Sequence, residues 1–298
     1  MKASISKTSM GKAEIGQKKS SLWKMTLHSL KDSKAAMAGF AILCLMILIA
    51  LFAPLIMPYD YSASDMSNTF TSPSAAHLFG TDDLGRDILS RLIYGTRYSL
   101  SLGIISTLIA AIMGTAIGAA AGYYGGRMDN ALMRFLDIFQ AIPSLLLCIM
   151  LAAVAGNGFI NTVIAISISS APGFSRMSRA AILNIRNMEY LEAASSINCG
   201  SMRIILKHVL PNALSPLIVQ FTMGVANAIL FAASLSYIGL GVQPPTPEWG
   251  SMLSAGRNYI RRYPYMVISP GICIMFAVFS LNVLGDGLRD ALDPKLKK

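Results

Sequence analysis

Three neutral polar residues recur at heptad spacing within one long apolar stretch of the chain: Gln220, Asn227 and Ser234. Because a heptad is close to two helical turns, residues at i, i+7 and i+14 lie near one face of a helix. Amide and hydroxyl groups on such a face can hydrogen-bond a passing polar solute and so line a pathway. They can equally hydrogen-bond to neighbouring helices, as polar residues in membrane bundles do. Both alternatives stay open.

Residue patterns for bond-making chemistry are missing from the sequence. There is no phosphate-binding loop of the GxxxxGK(S/T) type, no HExxH motif and no Cys/His cluster with metal-ligand spacing. The histidines, His28, His77 and His208, fall in separate segments, so no pair of them is predicted to share a ligand. We therefore expect no catalytic residue, no metal site, no bound cofactor and no nucleotide hydrolysis by this chain.

The composition indicates a membrane protein. Of the 298 residues, 54% are hydrophobic and only 13% are charged, and the mean hydropathy is +0.54. Soluble domains carry roughly 25% charged residues, so this chain has too few charges to cover a globular surface. This argues against a soluble enzyme and excludes a disordered or fibrous chain. We predict an all-α, polytopic membrane helical bundle.

Long uncharged stretches give the number of spans, because a helix needs about 20 apolar residues to cross the hydrocarbon layer. The third stretch has 38 residues and is divided by Gly156-Asn157-Gly158, so we interpret it as two spans joined by a tight turn. The fourth is interpreted as one span followed by a loop. Six transmembrane helices are thus predicted from the stretches at 35–59, 98–126, 138–175, 209–247 and 263–285.

Lys and Arg near the span ends set the orientation, because these residues concentrate in cytoplasmic loops. Residues 1–34 hold eight Lys against one Glu and one Asp, and basic residues recur at 123–134 and 176–212. With six spans, both termini are then predicted to be cytoplasmic. One external segment opposes this assignment with three arginines: Arg257, Arg261 and Arg262.

The predicted organisation begins with a Lys-rich cytoplasmic tail. Its residues 1–20 are predicted to be disordered. The pattern around Leu22, Trp23 and Lys24 predicts either an amphipathic helix on the inner leaflet or an extension of the first span. The parts are the tail (1–34), the first transmembrane helix (35–58), an external loop (59–97), a core of five transmembrane helices (98–290) that includes the cytoplasmic loop 176–212, and a second cytoplasmic tail (291–298).

Glycines four residues apart mark the second predicted span: Gly114, Gly118 and Gly122. Such a stripe lets another helix backbone approach closely. The approaching helix belongs either to this chain or to a partner chain, and the sequence leaves both open.

No ionisable residue lies in the middle of a predicted span. Charge within the bilayer is costly and commonly marks ion or proton coupling, so an ion-coupled carrier is disfavoured. Asp137 and Asp286 lie near cytoplasmic span ends, where they are expected to cap helices or to pair with Arg134 and Arg289.

The cytoplasmic loop contains the most informative segment, residues 189–212 with the sequence EYLEAASSINCGSMRIILKHVLPN. Its Ala193-Ala194 pair favours a first helix. Asn198 and Gly200 are well able to take left-handed backbone angles at a turn. Ser201 can cap a second, amphipathic helix, which the following Leu-Pro pair is expected to end. The pattern predicts a helical hairpin at the membrane face that suits the docking of a soluble partner.

Glu192-Ala193-Ala194, followed at the expected distance by Leu210-Pro211, resembles the EAA loop of binding-protein-dependent ABC importer permeases. With His208 and Asn212 beside the Leu-Pro pair, the loop is similar to that of the dipeptide/oligopeptide/nickel subgroup. Two further segments resemble the C-type subunit of that subgroup: residues 77–95, HLFGTDDLGRDILSRLIYG, and residues 285–294, GDGLRDALDP.

The resemblance implies a type I ABC importer permease fold in a prokaryotic cell membrane. It implies a passive part of a pathway that imports di- or oligopeptides, with nickel or another small solute as the alternative and an ion-coupled carrier as a more distant one. The implied partners are a homologous second permease chain, two cytosolic ATPase subunits that bind ATP and Mg, and an extracytoplasmic solute-binding protein. Membrane lipid surrounds the chain, and no nucleic acid is implied.

The resemblance also assigns ATPase docking to the hairpin. Glu192 is expected to pair with a basic group on the ATPase, or else to be a surface residue that stabilises its helix. Asn198 stands where the family usually has Gly, and we expect the turn to persist because Asn tolerates left-handed angles. The predicted docking residues are Glu189, Glu192, Ala193, Ala194, Asn198, Gly200, Arg203, His208, Leu210 and Pro211.

Overall fold

The computed structural model describes residues 33–196 and 199–292. The amphipathic segment predicted before the first span, the turn residue Asn198 and most of the C-terminal tail lie outside the described residues. Within the described part the chain is helical, with one isolated bridge between Thr81 and Asp87 and no strand. The predicted all-α class is confirmed.

Some of the helices begin after residues whose side chains cap them and so satisfy amide donors that a first helical turn leaves free. The Ser33 hydroxyl accepts a hydrogen bond from the Ala36 N–H, and the Asp87 carboxylate accepts one from the Ser90 N–H. In chain order the described helices are α1 (Lys34–Ile56), α2 (Ile88–Tyr124), α3 (Gly126–Gln140), α4 (Ser144–Ala155), α5 (Phe159–Ile185), α6 (Glu189–Ser196), α7 (Ser201–Ile204), α8 (Leu210–Tyr237), α9 (Trp249–Gly256) and α10 (Tyr265–Leu292).

Within residues 33–196 and 199–292, four helical segments are long and apolar enough to cross a membrane: α1, α2, the continuous segment Ser201–Tyr237 and α10. Helices α3 and α4 meet at a bend of 81° and form a fifth candidate when taken together. Helix α5 has 27 residues and is long enough, but its sequence is more polar. The tight turn predicted at residues 156–158 joins α4 to α5. The count of six spans stays a prediction.

Helix α2 lies at the centre of the bundle and packs along α5 through its glycine stripe. A Cβ atom on Gly114 would collide with the carbonyl oxygen of Ala171, and one on Gly118 would collide with that of Ser175. Gly122 faces Ile182 further along the same contact. The structure therefore places the stripe in packing within this chain, which is the first of the two alternatives.

A second set of contacts joins α1, α2, α8, α9 and α10 around a buried tryptophan. Trp249 is fully buried, and its Nε1 donates to the Leu92 carbonyl of α2 at 3.4 Å. On α1, Gly39 lies directly against the Ser280 carbonyl of α10. The other side of α1 exposes Leu51 and Leu55 to 66% and 80%. An apolar surface of this kind on a spanning helix faces lipid.

Buried ion pairs fold the segment between α1 and α2 into a cap over the end of the bundle opposite the predicted hairpin. Arg86 Nε donates to Asp82 Oδ2 at 2.6 Å, and Arg91 Nε lies 3.7 Å from the same oxygen. His77 Nδ1 and Asp87 Oδ1 are 2.9 Å apart. Because an unpaired buried charge is costly, these pairs fix the path of the segment. The charged motif at 77–95 is therefore part of the structure of this cap.

Two segments predicted as loops are largely helical. Most of residues 123–134 belong to α3, and the first residues of the segment 176–212 are the last turns of α5. Charged residues suggested loops there, but both helices use those charges in contacts with each other. A charged segment at the end of a span can therefore be helical and need not be a loop.

Three details of the predicted hairpin are wrong. Pro211 does not end a helix: it is the second residue of α8, directly after the π-helical turn Ile205–Val209. A wider turn accommodates a residue that lacks an N–H and whose ring crowds the preceding turn. Gly200 has extended angles, φ −60° and ψ 139°, and it occupies the N-cap of α7 where such angles are required. Ser201 is consequently the first helical residue and not the cap.

We expect Gly118→Ala to destabilise the fold, because the added methyl group would overlap the Ser175 carbonyl oxygen. Overpacking of this kind costs about 1–3 kcal/mol, so the purified chain should unfold at a lower temperature and accumulate less in membranes. Gly271→Ala on α10 is the matched control, because nothing lies within 4 Å of a Cβ built there. Equal unfolding temperatures for the two variants would contradict the packing of α2 on α5.

Candidate functional site

The hairpin formed by α6, α7 and the π-helical turn is anchored by a small apolar cluster. Leu191 of α6 is only 5% exposed and packs with Ile182 of α5 and with Ile204. Ala119 of α2 and Ala213 of α8 belong to the same cluster. These buried contacts hold the hairpin against the ends of three long helices. It is therefore part of the folded body and not a free loop.

The outward face of the hairpin combines apolar and charged side chains. Tyr190, Met202 and Leu206 are 40%, 65% and 57% exposed. Exposed apolar groups rimmed by charges mark protein interaction sites. The exposed charged residues beside them are Glu189, Glu192, Arg203 and Lys207.

The other predicted docking residues that the structure describes lie in or beside the two arms of the hairpin, α6 and α7. Ala193 is part of α6, Gly200 is exposed before α7, and Pro211 is exposed at the start of α8. Three more are half-buried: Ala194, His208 and Leu210. The described members of the predicted set are thus part of the hairpin or adjoin it. Some of them are exposed and others are half-buried.

A polar cavity of about 310 Å³ lies where α5 and α8 meet the bend between α3 and α4. Gln220 and Asn227 of α8 both line it, and Ser169 and Ser170 of α5 lie on its wall. Ser234 is not part of that lining, and its hydroxyl donates to a carbonyl of its own helix at 2.8 Å. Two of the three heptad residues therefore share a cavity, and the third bonds within its own helix.

A second cavity of about 550 Å³ lies nearer the hairpin end, between α5, α8 and α10. Gln220 lines both cavities, so they are adjacent along α8. Asn212 and Ser215 continue the polar lining, and Arg289 of α10 stands at the wall. From Asn212 to Asn227 this polar strip follows α8 for about 22 Å, at 1.5 Å per residue.

The lining of the smaller cavity offers hydrogen bonds without charge. Side-chain amides supply both donors and acceptors, and hydroxyls can act as either. Such groups can bind the amide and carbonyl groups of a solute whatever its net charge. Among the described residues, no group of three or more His, Cys, Asp or Glu could hold a metal ion.

Two ion pairs between α3 and α5 were not predicted from the sequence. Arg179 donates through Nε and Nη2 to the two carboxylate oxygens of Asp129, at 2.5 and 2.6 Å. Arg176 Nη2 lies 2.5 Å from Asp137 Oδ1, although the sequence suggested Arg134 as the partner of that carboxylate. The paired residues are 50 and 39 positions apart. A single sequence holds no signal that joins residues over such separations.

Local contacts involve two of the three arginines in the segment that was predicted to be external. Arg257 Nη1 donates to the backbone carbonyl of Tyr237 at 3.2 Å, and its guanidinium lies 5.6 Å from the centre of the Tyr237 ring. Arg262 stands over a neighbouring tyrosine ring at 5.7 Å. In the cap between α1 and α2, a hydrogen bond from the Ser67 hydroxyl lowers the pKa of Asp65. Arg257 and Arg262 are thus both partnered with aromatic faces.

Family models match most of the chain. Residues 114–298 match the model described as "binding-protein-dependent transport system inner membrane component". Residues 21–73 match the model described as "N-terminal TM domain of oligopeptide transport permease C".

Relatives and a solved structure agree with these matches. The dipeptide transport system permease protein of Alkalihalophilus pseudofirmus is 46% identical over 92% of this chain and 90% of that protein. The oligopeptide transport system permease protein of Bacillus subtilis is 41% identical over 97% of this chain and 95% of that protein. An inward-facing structure of the MetNI methionine ABC transporter is similar in fold, with a TM-score of 0.56 and 19% identity over 69% of this chain and 98% of that chain.

The fold likeness and the family matches point to one conclusion. The helical bundle has the type I importer permease fold that the sequence predicted, and several of its helices can cross a membrane. The chain belongs to the family of binding-protein-dependent transport system inner membrane components, and it is a multi-pass protein of the inner membrane.

Proposed function

We propose that the chain is the permease subunit of an ATP-driven ABC importer that carries di- and oligopeptides across the cell membrane. The observation that carries the proposal is the polar strip along α8, which runs from the smaller cavity toward the end that holds the hairpin. The names of the two relatives support peptides as the solute.

Peptide chemistry matches the groups along this strip. The amides of Gln220 and Asn227 present the same donor and acceptor types as a peptide bond, and the hydroxyls of Ser169 and Ser170 add adaptable partners. The lining of the smaller cavity has no charged group, which suits solutes that share a backbone and differ in their side chains. Nickel or another small solute is the alternative, and the names of the relatives favour peptides over it.

The proposed transporter contains partner subunits besides this chain. Asn227 is exposed in the single chain, and a homologous second permease chain facing it encloses the pathway. An extracytoplasmic solute-binding protein delivers peptides to the outer segments. Two cytosolic ATPase subunits dock on the hairpin, and they bind the ATP and Mg that drive transport.

The packing of the hairpin supports a mechanical form of coupling. Leu191 and Ile204 share one apolar cluster with Ile182 of α5, so a push on the hairpin also displaces α5. Packed interfaces of this kind switch between discrete arrangements and do not deform continuously. Closure of the docked ATPases therefore moves the hairpin and the helices together. This movement opens the cavities to one side of the membrane and closes them to the other.

We expect Glu192→Lys to release the ATPase subunits, because a reversed charge on the exposed face of the hairpin opposes a basic group on the partner. The measurement is co-purification of the ATPases with the tagged chain, together with ATP-dependent peptide uptake. Asp290→Lys is the matched control, since it makes the same charge change at an exposed site near the end of α10. Full ATPase retention in Glu192→Lys would contradict docking through this residue.

Removing the amides of the smaller cavity should slow transport. Each lost hydrogen bond is worth about 1 kcal/mol, so Gln220→Leu and Asn227→Leu should each lower the peptide uptake rate roughly fivefold. ATPase retention should be unchanged, because both positions lie far from the hairpin surface. Ser234→Ala is the control, since its hydroxyl bonds within α8 and does not line the cavity. Normal uptake in both amide variants would remove these residues from the pathway.

The proposed function itself is tested with the assembled transporter in lipid vesicles. The chain, its permease partner, the ATPases and the binding protein should accumulate a labelled dipeptide or tetrapeptide against its gradient when ATP is supplied on the ATPase side. Vesicles with this chain alone should not accumulate the label. Accumulation of nickel and not of peptides would establish the alternative solute.

A further inference from the structure

We infer that the ion pairs Asp129–Arg179 and Asp137–Arg176 are positioning contacts that make the α3–α4 bend move together with α5 during transport. The inference rests on the proposed function, because it concerns how a pathway wall follows the ATPase-driven hairpin. It names four residues that the docking and pathway predictions do not include.

The first pair, Asp129–Arg179, is a bidentate ion pair. Arg179 binds Asp129 with two parallel hydrogen bonds, at 2.5 and 2.6 Å. Two bonds between planar groups restrict their relative orientation as well as their distance. The side chain of Asp129 is 13% exposed and that of Arg179 is 34% exposed, so the ion pair is partly shielded from water.

The second pair prevents rotation about the first. Asp137 lies eight residues after Asp129 on α3, and Arg176 lies three residues before Arg179 on α5. Arg176 reaches Asp137 at 2.5 Å, although both side chains are more than half exposed. An exposed pair contributes little alone. Two attachments at separate points nevertheless hold one helix against another in a single orientation.

Helices α3 and α5, which the ion pairs connect, form walls of the smaller cavity. Phe139 and Gln140 at the end of α3, and Pro143 just before α4, line one side of it. Gly173 and Phe174 of α5 line another side. The two arginines follow these α5 residues within the next two turns. The Asp137–Arg176 pair therefore lies within one turn of these lining residues on both helices, and the Asp129–Arg179 pair lies further from the cavity along α3. The two pairs together connect the helices that form the walls.

Helix α5 also reaches the hairpin. Beyond Arg179 it continues to Ile182, which packs in the apolar cluster with Leu191. Arg186 at its end donates to the Gly122 carbonyl of α2 at 3.4 Å. One continuous helix thus contacts the hairpin, carries both arginines and lines the cavity. A displacement of the hairpin reaches the α3–α4 bend through these ion pairs.

The direct test measures distances in the complete transporter. Spin labels at Phe135 of α3 and Met177 of α5, both exposed, are introduced into a chain whose four cysteines have been replaced. With the pairs intact, the distance between the labels should stay constant when ATP is trapped in the ATPase subunits. In Asp129→Asn/Asp137→Asn it should change by at least about 2 Å, the scale of helix shifts in switching proteins. A distance that changes in the parent protein, or stays fixed in the variant, overturns the inference.

This readout needs ATP closure and no peptide, so it separates the inference from the proposed function. If nickel is carried and peptides are not, the distance result still decides the role of the ion pairs. If ATP closure changes no distance in the chain, including a distance between the hairpin and α10, that result contradicts the proposed function.

A charge exchange distinguishes coupling from simple folding. Asp129→Asn and Arg179→Gln should each lower the peptide transported per ATP by roughly tenfold, within the range of coupling residues, with the ATPases still bound. Asp129→Arg/Arg179→Asp should recover most of that loss, because the pair is restored in reverse. Arg179→Lys keeps the charge but not the two parallel bonds, and it should recover only part. A normal transport ratio in the single variants, or no recovery in a stably folded exchange variant, contradicts the inference.

Discussion

The close contact between α2 and α5 is the interaction on which the rest of the structure depends. Lipid chains are as apolar as leucine, so helices in a bilayer associate through packing and hydrogen bonds. The stripe at Gly114 and Gly118 brings the two backbones together. The hydroxyls of Ser167 and Ser178 then donate across the contact to carbonyl oxygens of α2, at 3.1 and 3.3 Å. This contact fixes α5, and through α5 it fixes a cavity wall, two arginines and the support of the hairpin.

Polar groups are separated by depth along the bundle. The cap between α1 and α2 holds paired charges such as Asp82 and Arg86, and the opposite end of the bundle holds the Asp–Arg pairs of α3 and α5. Between these ends, Gln220 and Asn227 provide neutral amides. Charge in the hydrocarbon layer is costly, and neutral amides can interact with a solute at lower cost. The arrangement gives a polar route without a charged group midway along α8.

Much of the fold could be predicted because membrane spans leave long, simple signals. The turn at 156–158 and the shared cavity of Gln220 and Asn227 follow from apolar runs and helical periodicity. Helix α3 could not be predicted, because an amphipathic helix of mixed charge resembles a loop until its partner is known. The pairing of Asp137 with Arg176 depends on that same tertiary contact. The docking role of the hairpin stays a prediction, although its anchored base and exposed rim agree with it.

The position of Pro211 within a continuous helix has a geometric consequence. Ser201–Tyr237 is one helical segment of 37 residues, about 55 Å long at 1.5 Å per residue. The second arm of the hairpin and the whole polar strip therefore belong to the same rod. A tilt of about 5° that pivots at the end holding the hairpin would move the opposite end by about 5 Å, given that length. The π-helical turn at Ile205–Val209 keeps that rod unbroken past the proline, so a small angular input at one membrane face is amplified at the other.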